Sequence, residues 1–174
     1  MQLPLAHGAV RPGSPPVSDV RVLIDVSGSM KENDPHNLRA PALRLIVGLL
    51  PDGAQAGVWT FGRYVNMLVP HGTVDAPWRH KARAASRQIN SAGLFTNIQG
   101  ALSRATWDWH APDPHTRRSV IMLTDGLVDV SKDKAKDAAS RRRILDHILP
   151  RLRKAGVTIH TIALSGDADR SLLE

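Results

Sequence analysis

Apolar residues recur along this chain in two rhythms. Val20 to Asp25 and Ser119 to Thr124 are short, nearly continuous apolar runs rich in β-branched residues, the pattern of strands covered on both faces. Elsewhere apolar positions fall three and four apart, which gives a helix one sticky face. Such faces are Leu43, Ile46, Val47, Leu50; then Trp78, Ala82, Ala85, Ile89; then Ile98, Ala101, Leu102, Ala105, Trp109. A last one is Ile144, Leu145, Ile148, Leu149 and Leu152.

Punctuation sharpens the boundaries. Asp34-Pro35 has the form of a helix start, with Pro41 predicting a kink or a delayed start, and Pro51-Asp52-Gly53 is a stop. Gly57–Phe61 and Val65–Val69, separated by Gly62-Arg63-Tyr64, predict an antiparallel hairpin. Thr96 to Gln99 has the form of a capping box. Pro150 is expected to distort the last turn of its helix, Gly156 to end it, and Val157–Leu164 to form a final strand. Asp169 to Glu174 reads as the first turn of another helix. Strands alternating with helices predict an α/β architecture with a mostly parallel sheet.

Composition narrows the class. The chain has 174 residues, enough for one domain with a substantial core, and no apolar run approaches the roughly 18 residues of a membrane-spanning helix. Residues 1–17 carry four prolines and two glycines without periodicity and read as a leader or linker, leaving 18–174 as the domain. The absence of cysteine excludes disulfides, thiolate nucleophiles and cysteine-ligated zinc. Net charge is +7, and residues 131–154 hold nine cations against three acids. That segment, with Arg141–Arg143, raises an RNA or anionic membrane surface as an alternative partner, or it is simply a solvated helix face. Aromatics make up only 4%, too few for a base-stacking platform, and the four tryptophans are expected mainly in the core.

Chemistry concentrates where the first strand stops. Asp25, Ser27 and Ser29 place oxygen atoms at every second position, the donor type that hard divalent cations prefer. In open parallel sheets, ligands bind beyond the carboxyl ends of strands near the point where strand order reverses. Asp125 follows the Ser119–Thr124 strand and Thr96 opens a helix, so both are expected at that crevice. The five residues predict a magnesium or manganese site with an open position. No Gly-x-Ser-x-Gly, Ser-x-x-Lys, phosphate-loop or His-Glu-x-x-His motif is present, so no catalytic constellation is found. A magnesium-assisted hydrolase or phosphatase acting through Asp25 or Ser27 is the enzymatic alternative. His160 reads as a packed or edge-exposed strand residue. Asp129, Asp133 and Asp137 read as helix-start and surface acids.

Asp25-x-Ser27-x-Ser29, Thr96 opening a mid-chain helix, and Thr124-Asp125-Gly126 together resemble the von Willebrand factor A domain family and its metal-ion-dependent adhesion site. The resemblance runs from about Ser18 to the end of the chain. It implies a Rossmann-like, doubly wound sheet with helices on both faces and one antiparallel edge strand. It also implies direct metal ligation by Ser27, Ser29 and Thr96, with Asp25 and Asp125 acting through water. The ion would be magnesium first, with manganese or calcium as alternatives, and a partner protein's Asp or Glu carboxylate would fill the open position. The function so implied is non-enzymatic, metal-dependent adhesion. The family usually continues through another helix and edge strand, so the domain is expected to be truncated. The proline-rich start and that truncation favour an extracytoplasmic, envelope-tethered setting, although relatives of this family also work inside cells.

Overall fold

The computed structural model describes residues 15–125 and 129–164. The turn expected at 169–174, Gly126 and most of the leader lie outside the described residues. The chain folds as β1 (Val17–Asp25), a short helical turn α1 (Met30–Asn33), α2 (Arg39–Leu49), β2 (Gln55–Phe61) and β3 (Val65–Thr73). Then come α3 (Ala76–Ala85), α4 (Ile98–Ala105), β4 (Thr116–Thr124), α5 (Lys134–Arg143), α6 (Leu149–Lys154) and β5 (Thr158–Ala163).

The five strands lie in the order β3-β2-β1-β4-β5, all parallel except β3, which pairs antiparallel with β2. This is a doubly wound α/β sheet with one antiparallel hairpin edge. Strand order reverses between β1 and β4, which run side by side from Val17 opposite Thr116 to Ile24 opposite Leu123. The carboxyl ends of these two strands therefore flank the switch point.

Helices cover both faces, as the continuous apolar strands require. Val20, Val22 and Ile24 pack with Leu43 and Val47 of α2 and with Trp78, Ala82 and Ala85 of α3. Leu23, Trp59, Phe61, Val120 and Met122 pack with Ile98, Ala101 and Leu102 of α4 and with Ile144, Ile148 and Leu152. Burying a Val, Leu or Ile side chain contributes about 1.5–3 kcal/mol each, so these two layers fix the sheet's position.

Local differences have local causes. Asp34 accepts from the amides of Leu38 at 2.6 Å and Arg39 at 3.2 Å, but the helix starts at Arg39 rather than Pro35, with Leu38 and not Asp34 at the N-cap position. Pro41 then falls in the first turn, where its missing N–H costs nothing. Asn97, not Thr96, caps α4 by accepting from Gly100 N–H at 2.8 Å. Between α5 and α6 the helix widens into one π turn, Ile144–Ile148, immediately before Pro150, whose ring cannot supply a helical N–H. Trp59, Trp78 and Trp109 are buried, whereas Trp107, just past the end of α4 at Ala105, is 71% exposed. His160 sits exposed on the edge strand β5.

Candidate functional site at the carboxyl end of the sheet

β1 delivers Asp25 to the switch point with no exposed surface. The chain then turns sharply, because Val26 N–H still donates to Phe61 O at 2.9 Å while Met30 N–H already donates to Ser27 O at 3.2 Å. Met30, fully buried, anchors α1 beneath the turn. Ser29 precedes that helical turn, but its hydroxyl does not cap it.

It reaches instead across the crevice. Ser29 Oγ donates to Asp125 Oδ2 at 2.6 Å, and Asn33 Nδ2 donates to the same oxygen at 2.8 Å. Ser27 Oγ lies 3.0 Å from Ser29 Oγ; with Ser29 donating to Asp125, Ser27 donates to Ser29. Asp25 accepts from Ser27 N–H at 2.8 Å on one oxygen and from Thr124 Oγ1 at 2.6 Å on the other. Burial pushes the Asp25 carboxyl above the ordinary aspartate range, with the nearby Asp125 charge adding to it, while the bonds from Ser27 and Thr124 act the other way. Thr96 is buried alongside, and its backbone bridges to Asp129.

A second set of residues, which the sequence pattern did not single out, holds this turn in place. Arg39 is fully buried. Its guanidinium donates to the carbonyl of Asp25, to Asp34 Oδ2 at 2.8 Å and to Ser91 Oγ at 2.7 Å. It thus ties the end of β1 to the 90–91 loop. Gly93 N–H donates to Val26 O at 2.8 Å, bringing that loop onto Ser27 in a parallel bridge. Exposed Leu94 and Tyr64 stand beside it, lining with Val26, Gly62 and Gly93 a cleft of about 280 Å³. Asn33 is the other residue missed; its place four residues after Ser29, on the same side of a helical turn, was the available signal.

Residues 20–127, well over half of the chain, match the family model of the von Willebrand factor type A domain. The chain belongs to this family.

Solved structures agree with that fold. A von Willebrand factor type A protein from Catenulispora acidiphila superposes with a TM-score of 0.63 at 19% identity, covering 92% of this chain and 42% of that one. Proximal thread matrix protein 1 from the mussel byssus gives 0.60 at 19% identity, over 84% of this chain and 38% of that one. An aerotolerance-related membrane protein from Bacteroides fragilis gives 0.57 at 17% identity, over 83% and 66%. The present chain thus spans about two fifths of the length of the first two. No curated protein matches the sequence.

Family membership does not carry the adhesion-site metal with it. Among the described residues, no group of three or more His, Cys, Asp or Glu side chains stands together to hold a metal ion. Two carboxylates, Asp25 and Asp125, reach the crevice. The hydroxyls of Ser27 and Ser29, expected as oxygen ligands, are hydrogen-bonded to each other and to Asp125. Thr96, the expected third direct ligand, is joined through its backbone to Asp129. The metal centre expected at Asp25, Ser27, Ser29, Thr96 and Asp125 is therefore corrected to a hydrogen-bonded polar network. With it go the magnesium, manganese or calcium cofactor, the intact metal-ion-dependent adhesion site, and the partner carboxylate closing an open coordination position. No catalytic constellation is found among the described residues. Among the described residues, no helix is long and apolar enough to cross a membrane.

Proposed function

We propose that this domain is a protein-interaction module that docks its partner on the carboxyl-end face of the sheet. One observation carries the reading. Exposed Tyr64 (69%) and Leu94 (65%) line a cleft that adjoins, through Val26 and Gly93, the crevice whose polar groups are already bonded to one another. Exposed aromatic and aliphatic groups around a rigid polar floor suit a partner's side chains better than a reacting substrate. The similar structures support an extracellular or envelope setting through their descriptions, a mussel byssus thread protein and a bacterial membrane protein. We place this chain at the envelope on the same ground.

The test is proximity cross-linking in the source cells, followed by reconstitution with the purified partner. The double variant Tyr64→Ser/Leu94→Ser loses the partner, while Met67→Ser, exposed elsewhere on β3, keeps it. Equal binding by wild type and the double variant overturns the reading.

A further inference from the structure

A second polar cleft of about 320 Å³ lies between the start of α4 and one face of α5, lined by Asn97, Gln99, Val130, Lys136, Ser140 and Arg143. Lys136, Ser140 and Arg143 are spaced four and three apart, so α5 presents them on one face, two cations bracketing a hydroxyl. Neither cation has a carboxylate partner among the described residues. Ser140 is 6% exposed, yet its Oγ has no hydrogen-bond partner among the described residues. An unpaired buried hydroxyl is destabilising, and native structures seldom carry one without a use for it. Facing it, Asn97 accepts from Gly100 N–H through its Oδ1, which leaves its Nδ2 as a donor at the positive end of α4. The nearest acid on α5, Asp137, is turned away: its Oδ1 accepts from the Val130 and Ser131 amides, and its Oδ2 accepts from Lys134.

We propose that this cleft binds a phosphoryl oxyanion, either free phosphate or a phosphate monoester on a partner. It opens at the same carboxyl end of the sheet, but it shares no lining residue with the Tyr64–Leu94 cleft and does not depend on the docking role given to that cleft. Donors come from two sides: two cations and one hydroxyl on α5, and the α4 start opposite them. A tetrahedral dianion with three terminal oxygens answers such a set better than a planar carboxylate. The site is also a discrete cleft rather than a stripe, so the ligand is a single anionic group and not a nucleic-acid backbone.

The test uses the whole chain at constant ionic strength, titrated with inorganic phosphate and, separately, with N-acetyl-phosphoserine amide. Amide chemical shifts are the readout. Saturable shifts centred on Asn97, Gln99 and Ser140 are expected, with chloride producing none. Tighter binding of phosphoserine would mark a partner-borne monoester, and tighter binding of inorganic phosphate the free ion; both support the site. Lys136→Gln/Arg143→Gln should weaken binding about tenfold or more, as expected for losing charge-assisted bonds. Ser140→Ala should keep the fold, since it removes a hydroxyl without a partner among the described residues, and should weaken binding several-fold. Shifts that fail to saturate and spread over residues 132–154, or unchanged affinity in either variant, would overturn the proposal.

Discussion

Arg39 donates a hydrogen bond to the main-chain carbonyl of Asp25 from a side chain with no exposed surface. The same guanidinium pairs with Asp34, whose own side chain is equally enclosed. The crevice floor is therefore held by a buried ion pair rather than by the apolar layers alone. Replacing Arg39 by Met leaves the Asp34 carboxylate buried without its cation, so a loss of about 3–5 kcal/mol is expected in urea unfolding. Arg39→Lys should restore little of it, because one ammonium cannot reach Asp25, Asp34 and Ser91 together. A loss under about 1 kcal/mol, the size of an ordinary hydrogen bond, would show that the pair is not what holds the turn.

Asp25 predicts an unusual pH dependence. Its folded carboxyl titrates above the unfolded one, chiefly because it is buried. The folded state therefore binds that proton more tightly than the unfolded state does. The resulting stability is present below the ordinary aspartate range and is lost as pH rises through the raised value. Asp25→Asn should abolish this slope and be at least as stable as wild type at neutral pH. The amide oxygen can still accept from Ser27 N–H, and Thr124 can turn its hydroxyl to accept. Chemical denaturation across mildly acidic to neutral pH checks it; a steeper slope in the variant would contradict the assignment.

The opposite sign is expected at the far end of β1. Arg21 is buried against the Trp109 ring, 4.0 Å from its centroid, and pairs with Asp19 at 3.1 Å and with Asp108. Burial pushes Asp19 up, but hydrogen bonds from His71 and Arg21 outweigh it and hold the carboxyl below its usual range. The Arg21 bond likewise lowers Asp108. Both acids therefore contribute stability above the ordinary carboxylate range that is lost as pH falls through their lowered values. Asp108→Asn should flatten the acid limb of the unfolding curve. An unchanged limb would remove Asp108 from the account.

These relationships show what the residue pattern could convey. Continuous runs around Val22 and Val120 announced central strands, because strands covered on both faces leave no polar alternation to read. Arg21 and Arg39 gave no such signal. A cation within an apolar segment is one letter, and beyond the nearby Asp19 and Asp34 the partners that tie these arginines across the fold, Asp108 and Ser91, lie far away in sequence. Asp137 was read as a surface acid but is buried, since it serves the amides of the preceding loop. At the crevice, spacing located Asp25, Ser27, Ser29 and Asp125 but not what they bind. The same oxygen atoms can ligate an ion or bond to one another, and only coordinates show that Ser29 turns to Asp125. Nor could spacing show that the helix starts one residue later than a Thr96 cap requires.

Gly93 gives the most direct check on how the crevice is built. A Cβ added there would stand 2.7 Å from Val26 O and 3.2 Å from Val26 C, both backbone atoms that cannot rotate aside. The same residue's N–H donates to Val26 O at 2.8 Å, so loop and strand end approach too closely for any side chain. Gly93→Ala should push the 90–94 loop away from Ser27 at a cost of about 1–3 kcal/mol, the usual range for overpacking. The amide shifts of Val26 and Ser27 should move with it, and partner binding at Leu94 should weaken. Gly48→Ala is the matched control: an added Cβ meets nothing within 4 Å on the exposed face of α2. That change should stabilise the domain by about 0.4–1 kcal/mol through the unfolded chain's lost freedom. If both variants unfold like wild type and Ser27 keeps its shift, the loop does not brace the crevice, and Leu94 is a surface residue with no role in docking.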